Sequence, residues 1–159
     1  MTTESDRQAA SLWAANIAEH VLPIFEAAIP GDARPRLAIQ AARDWAGGKL
    51  DMTEARQAAF AAHAAARQAQ NFHFAQATAA ARAAGHAAAT AHVIGHAPHA
   101  ANYALTAVFD PVLEQAWQVE NLPVSLQTVL VPKPSLWTLA RPSPVTVPAA
   151  FHTDRKSVV

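Results

Sequence analysis

"DMTEARQAAFAAHAAARQAQ", residues 51–70, decides the fold class. Asp51 can accept from the free amides of a first helical turn, and Glu54, three residues on, can reach back to the Asp51 amide. Behind that start, Met52, Ala55, Ala59, Ala62, Ala66 and Ala69 recur at spacings of three and four, which predicts a helix with one face made almost wholly of methyl groups. Such a face lets a neighbouring helix approach closely. The opposite face carries Arg56, Phe60, His63 and Arg67 at the same spacing. Phe60 is its only large apolar group, expected to be core from another direction or an exposed contact.

The helical pattern extends both ways. Upstream, "SLWAANIAEHVLPIFEAA" sets Trp13, Ile17, Val21, Ile24 and Phe25 near helical spacing, predicting a helix over about residues 8–28. Pro23 lacks the amide that would bond the Glu19 carbonyl, so a kink or a break into two pieces is expected there. "IPGDARP" reads as a loop, followed by a helix over about 35–46 with Leu37, Ala41 and Trp45 on one face. Gly47 and Gly48 supply the left-handed end. Downstream, residues 71–108 stay helical for too long to be one ordinary helix; two helices or one bent one are expected, with Gly85 and Pro98 as the interruptions. Gly85, Ala88, Ala89 and Ala91 continue the small-residue theme. Asp110 and Pro111 stop and restart a helix through "PVLEQAWQVENLP", and "SLQTVL" reads as a last short one. No stretch alternates like a strand until "SPVTVP", where the prolines discourage one.

The expected fold class is therefore all-α: a compact bundle of about five to six helices with alanine-rich close packing, a single domain over 8–131. Residues 132–153 hold five prolines by residue 150 and no helical period, which argues for an irregular, extended or disordered tail. The final "DRKSVV", residues 154–159, matches the translation of a widely used sequencing-library adapter and is read as an artefact rather than a natural ending.

Composition narrows the function. Twelve basic and twelve acidic side chains cancel, so no long-range field steers nucleic acid or an anionic membrane toward the chain. The arginines at 34, 36, 43, 56, 67 and 82 are dispersed. No cysteine is present, which excludes disulfides and thiolate metal sites and fits a reducing compartment. The polar start "MTTESDRQAA" is unlike a secretory signal, so a cytoplasmic location is expected. Residues 77–101 are apolar mainly through alanine and are interrupted by Arg82, His86, His92, His96 and His99, which disfavours a membrane span.

Four of those side chains stand in "AGHAAATAHVIGHAPHAANYA", residues 84–104. On a continuous helix His92, His96 and His99 fall within about 60° of one another, the arc in which imidazoles could meet one metal. Against that, His86 lies about 80° from His96, no carboxylate stands between Glu54 and Asp110, and Pro98 should disturb the helix. The simpler expectation is that no metal is bound and that each imidazole donates and accepts one hydrogen bond between close helices.

Catalysis lacks its usual signatures. The serines at 5, 11, 125, 135, 143 and 157 sit in no nucleophile elbow, and Glu19, Glu26, Asp44, Glu54, Asp110 and Glu114 read as solvated faces. Glycine-rich phosphate loops are absent. No catalytic residue and no cofactor is expected, and the chain reads as a non-enzyme.

In order, "HVLPIFE", "RPRLAIQAARDWAGG", "ARQAAFAAHAAAR", "AARAAGHAAATAHV", "HAANYAL" and "WQVENLP" resemble the predicted immunity proteins of bacterial polymorphic toxin systems, in the alanine-rich helical group called immunity-protein-five-like. The likeness runs over about residues 10–130. It implies a small all-α cytoplasmic protein, encoded beside a toxin, that binds and neutralises that toxin and has no catalytic residue. His63, His86, His92 and His96 fall in the family-like motifs with no role attached; Pro98 and His99 are departures. The implied partner is a cognate protein toxin, not nucleic acid or a membrane, met through exposed anchors such as Phe60, Phe72 and Phe74. A histidine-dependent metal-binding or enzymatic protein and a scaffold self-associating through its alanine faces stand as alternatives. The residues leave the oligomeric state open.

Overall fold

At the N-terminus a helix begins at Glu4, ahead of the expected start near residue 8. Thr3 Oγ1 accepts from the Asp6 amide at 3.1 Å while the Asp6 carboxylate accepts from the Thr3 amide at 2.9 Å, a reciprocal cap that fixes the first turn. The computed structural model describes residues 1–130. They form α1 (Glu4–Ala28), α2 (Arg34–Ala46), α3 (Met52–Asn71), α4 (Ala75–Ala89), α5 (His96–Ala107) and α6 (Pro111–Glu120), then a single 3₁₀ turn at Val124–Leu126 where a short helix was expected. No strand occurs among the described residues, so the all-α class holds. The expected tail, 132–153, and the adapter-like ending, 154–159, lie outside the described residues.

Pro23 does not divide α1. Its ring is exposed, while Val21, Leu22 and Phe25 around it are fully buried, so packing on the inner face outweighs the one lost backbone bond. In α2 the core face is Pro35, Ala38, Ile39, Ala41 and Ala42; Leu37, expected inward with Ala41 and Trp45, points to solvent at 60% exposure. Ala41 is the one buried member of that trio, and α2 packs on α1, α3 and α4. The Ser11 hydroxyl donates to the Ala42 carbonyl at 3.1 Å across that contact. Gly48 takes φ +73, the left-handed turn its sequence suggested, and the Asp51–Glu54 cap of α3 forms as expected.

The interruptions of residues 71–108 are not where Gly85 and Pro98 place them. Gly85 lies inside α4, and Pro98 is the third residue of α5, where its missing amide is unpaired in any helix. The chain instead reverses through successive turns at Thr90 to Gly95, closed by bonds such as His92 amide to Ala89 carbonyl at 3.2 Å and His96 amide to Val93 carbonyl at 3.0 Å. Before α4, His73 takes φ +60, and the Phe74 amide reaches the Ala69 carbonyl at 3.1 Å, a left-handed helix end made without glycine.

Helix α4 is the centre of the bundle, packed against α1, α2, α3 and α5. Eleven of its fifteen residues are buried, nearly all of them alanine, which is what allows four neighbours to share one axis. After Gln76 only Arg82 and His86, one turn apart, are not fully covered.

Candidate functional site

That uncovered stripe on α4 gathers the histidines. From α3, His63 lays its ring on Gly85: a Cβ added there would come within 2.6 Å of His63 Cε1, so the small residue makes room for an imidazole and not for a helix backbone. The reversal at Thr90 to Gly95 folds the start of α5 back over α4. His96 and His99, one turn apart on α5, then face His86. Ring centroids lie 5.0 Å apart for His63 and His86, 5.2 Å for His86 and His96, 5.3 Å for His86 and His99, 5.2 Å for His92 and His96, and 6.3 Å for His96 and His99. Tyr103 stacks on His86 at 5.3 Å with 13° between the planes.

Five imidazoles thus form one cluster built from α3, α4, the reversal and α5. The expectation from a continuous helix is corrected twice. His92 is not on a helix with His96 and His99, and His86, judged too far round the wheel, is the nearest partner of His96: their Nδ1 atoms are 3.0 Å apart. That distance requires one ring to donate and the other to accept, hence different tautomers. The expectation that every imidazole is satisfied by hydrogen bonds also fails, because Nδ1 of His63 and Nδ1 of His92 are buried with no protein partner.

The electrostatics of His63, His86, His92 and His96 all disfavour the protonated ring. Burial pushes the His86 imidazole down to about 3, with His63, His96, His99 and Arg82 adding like-charge repulsion. His63 is lowered by burial, then by Arg82, Arg67 and His96; His96 by burial, then by His92 and His99; His92 by burial, then by Arg56. Every charged neighbour acting on these four rings is basic. The Arg82 guanidinium is held by Gln70 Oε1 at 3.2 Å and lies over the Tyr103 ring. A basic neighbourhood and burial thus act in the same direction on all four rings.

Glu114 was read as part of a solvated face, yet only 4% of it is exposed. Its Oε2 meets His20 Nδ1 at 2.7 Å, and Gln118 Nε2 approaches its Oε1 at 3.4 Å. His20 stacks on Trp117 with centroids 4.2 Å apart. Trp13 Nε1 donates to the Gln118 carbonyl at 3.1 Å, and Gln118 Nε2 to the Ala101 carbonyl at 3.1 Å, so this network ties α6 to α1 and α5. The spacing Glu114 to Gln118, one turn apart toward the core, was the available signal.

Phe60, Phe72 and Phe74, the candidate contacts, are all exposed. Arg56 lies over the Phe60 ring, and Phe72 and Phe74 touch at 6.0 Å. Close to the latter pair in sequence, Gln70, His73, Ala75, Thr78 and Arg82 line a cavity of about 350 Å³. Phe109 is 98% exposed, more than any of the three, and with Val112 and Leu113 forms an apolar end at the α5–α6 junction that the sequence reading did not single out.

No helix among the described residues is long and apolar enough to cross a membrane. Comparison with known proteins finds no matching curated protein and no matching solved structure. The family described as Imm-5 like putative immunity protein does match, over residues 1–125, which takes in α1 to α6 and every histidine of the cluster. The chain therefore belongs to the Imm-5 like putative immunity protein family.

Proposed function

We propose that this protein is a cytoplasmic immunity protein of a bacterial polymorphic toxin system, which neutralises a cognate toxin by binding it and not by chemistry. The observation that carries this reading is the family match across the whole helical bundle. Two features support it. Although the core buries Trp13, Ile17, Leu22 and Phe25 among its alanines, Phe60, Phe72 and Phe74 stay uncovered, aromatics of the kind that anchor protein interfaces. The Phe72 and Phe74 ring centroids lie 6.0 Å apart, so these two form one apolar contact point.

The binding is tested by purifying the chain with the product of the adjacent toxin gene and measuring the complex by calorimetry. A one-to-one complex is expected, weakened about tenfold or more by Phe72→Ala with Phe74→Ala. Failure of the intact chain to associate with any neighbouring toxin candidate would overturn the reading. Because the aromatics are exposed, the variant should melt with the native chain, which separates lost contact from lost fold.

A further inference from the structure

We propose that the face formed by α3, α4 and α5 is where the toxin docks, and that it receives an acidic patch of that protein, whose carboxylates meet Arg56, Arg67 and Arg82. This rests on the immunity reading above. The case starts from the distribution of charge. No Asp or Glu stands between Glu54 and Asp110, a segment that runs from the first turn of α3 to just past the end of α5 and also holds no lysine. On α2 each arginine has its acid: Arg34 pairs with Asp32, Arg36 with Glu26 and Arg43 with Glu19. Among the described residues no ion pair engages Arg56, Arg67 or Arg82.

The three arginines share one side of the bundle. Arg56, Phe60, His63 and Arg67 form a stripe on α3, and His63 lies on Gly85 of α4 beside His86, with Arg82 one turn before it. Arg82 and Arg67 both act on the His63 ring, and Arg56 acts on His92 in the reversal that leads to α5. Aromatic rings hold two of the guanidiniums. Arg56 Cζ lies 5.6 Å from the centre of the Phe60 ring; Arg82 Cζ lies 5.9 Å from that of Tyr103 on α5, and Arg82 donates to Gln70 Oε1 at 3.2 Å. Guanidiniums ordered in this way lose less freedom when a carboxylate arrives, and each can present two parallel donors to it. Arg82 also lines the cavity of about 350 Å³ with Gln70, His73, Ala75 and Thr78, none of them acidic, a concave seat for an Asp or Glu side chain.

A protein surface fits this face better than other partners do. Arginine beside exposed aromatic rings is the composition of interface anchors. Nucleic acid is tracked by denser rows of basic side chains, and the charge of the whole chain cancels, so a phosphate backbone finds neither the row nor the field. A second copy of the chain would set arginine against arginine. Burial disfavours His63, His86 and His96 as cations, so at neutral pH the attraction rests on the arginines between which they lie.

The test titrates the full chain with each candidate toxin encoded beside its gene, by calorimetry at about 50 and about 300 mM sodium chloride. Native affinity is expected to fall about tenfold or more between the two salts. The Arg56→Gln, Arg67→Gln, Arg82→Gln variant should bind about tenfold or more weakly at the lower salt, with a flatter salt dependence. Arg36→Gln, on α2, should bind as the native chain does. Circular dichroism reports folding. Since Arg82 touches Tyr103 and Gln70, the double variant Arg56→Gln, Arg67→Gln, exposed at both positions, carries the test if the triple one does not fold, and should shift affinity and salt dependence in the same direction. A folded variant with native affinity would overturn the surface and leave the immunity reading in place. A native chain that binds no neighbouring candidate would overturn that reading and the surface with it. Binding of a short single-stranded DNA, or self-association of the free chain, lost in the same variant, would give the face another occupant and overturn the proposal.

Discussion

At Gly85 a single hydrogen atom decides how α3 and α4 fit. Two terms oppose each other when a methyl is added there: alanine favours a helix interior over glycine by about 1 kcal/mol, while overpacking costs about 1–3 kcal/mol. The Cβ would meet the His63 ring at 2.6 Å, and that ring is itself seated against His86, so crowding wins. Gly85→Ala is expected to lower stability by about 1 kcal/mol, and the same change in a His63→Ala background should be neutral or stabilising. Denaturant unfolding of the four chains checks this; equal effects in both backgrounds would show that His63 does not set the limit. His86 gives a second residue-level expectation. Its folded value, about 3, lies below the ordinary imidazole value of 6.5, so the unfolded chain takes up the proton first. Its stabilising contribution is complete above pH 6.5 and is lost as pH falls toward 3. Carboxylates held low by partners, such as Asp32 beside Arg34, matter only further down. Denaturant unfolding at pH 7, 6 and 5 should show stability falling with pH, with a shallower slope in His86→Asn.

The helices show what could be read in advance and what could not. The capping box at Asp51 and Glu54, the alanine face of α3 and the double-glycine end of α2 rest on local chemistry and stand as the sequence suggests, except that Met52, expected on that face, is exposed in the first turn. The reversal between α4 and α5 was misplaced because its residues, Thr90 to Gly95, are held by successive turn bonds, while the glycine and proline that usually mark a break lie elsewhere. Since that reversal brings His86 to His96, the cluster was hidden with it: the histidines were visible, their meeting was not. His73 likewise ends α3 in a conformation usually given to glycine. The seat of α6 depended on contacts distant in sequence, Trp13 to Gln118 above all. Trp13→Phe keeps one aromatic ring but removes the indole N–H and the pyrrole ring with it, leaving the buried Gln118 carbonyl without that donor, a loss of at least about 1–3 kcal/mol. Calorimetric melting should register it, and an unchanged transition would mean that α6 is held by its other contacts.

For the whole molecule, what stands outside the core bears on function. The alanine core takes in Trp13, Ile17, Leu22 and Phe25 from α1, while Phe60, Phe72, Phe74 and Phe109 stand at the surface, where they are available to a partner. The proposed binding role rests at this scale on the family and on these exposed side chains together. The most direct test is growth of a bacterium expressing each candidate toxin gene that neighbours this one, with and without the chain. The account predicts that co-expression of the intact chain restores growth and that the Phe72→Ala, Phe74→Ala variant, folded and equally abundant, protects measurably less. Growth arrest that the intact chain fails to relieve with every neighbouring toxin candidate would contradict it.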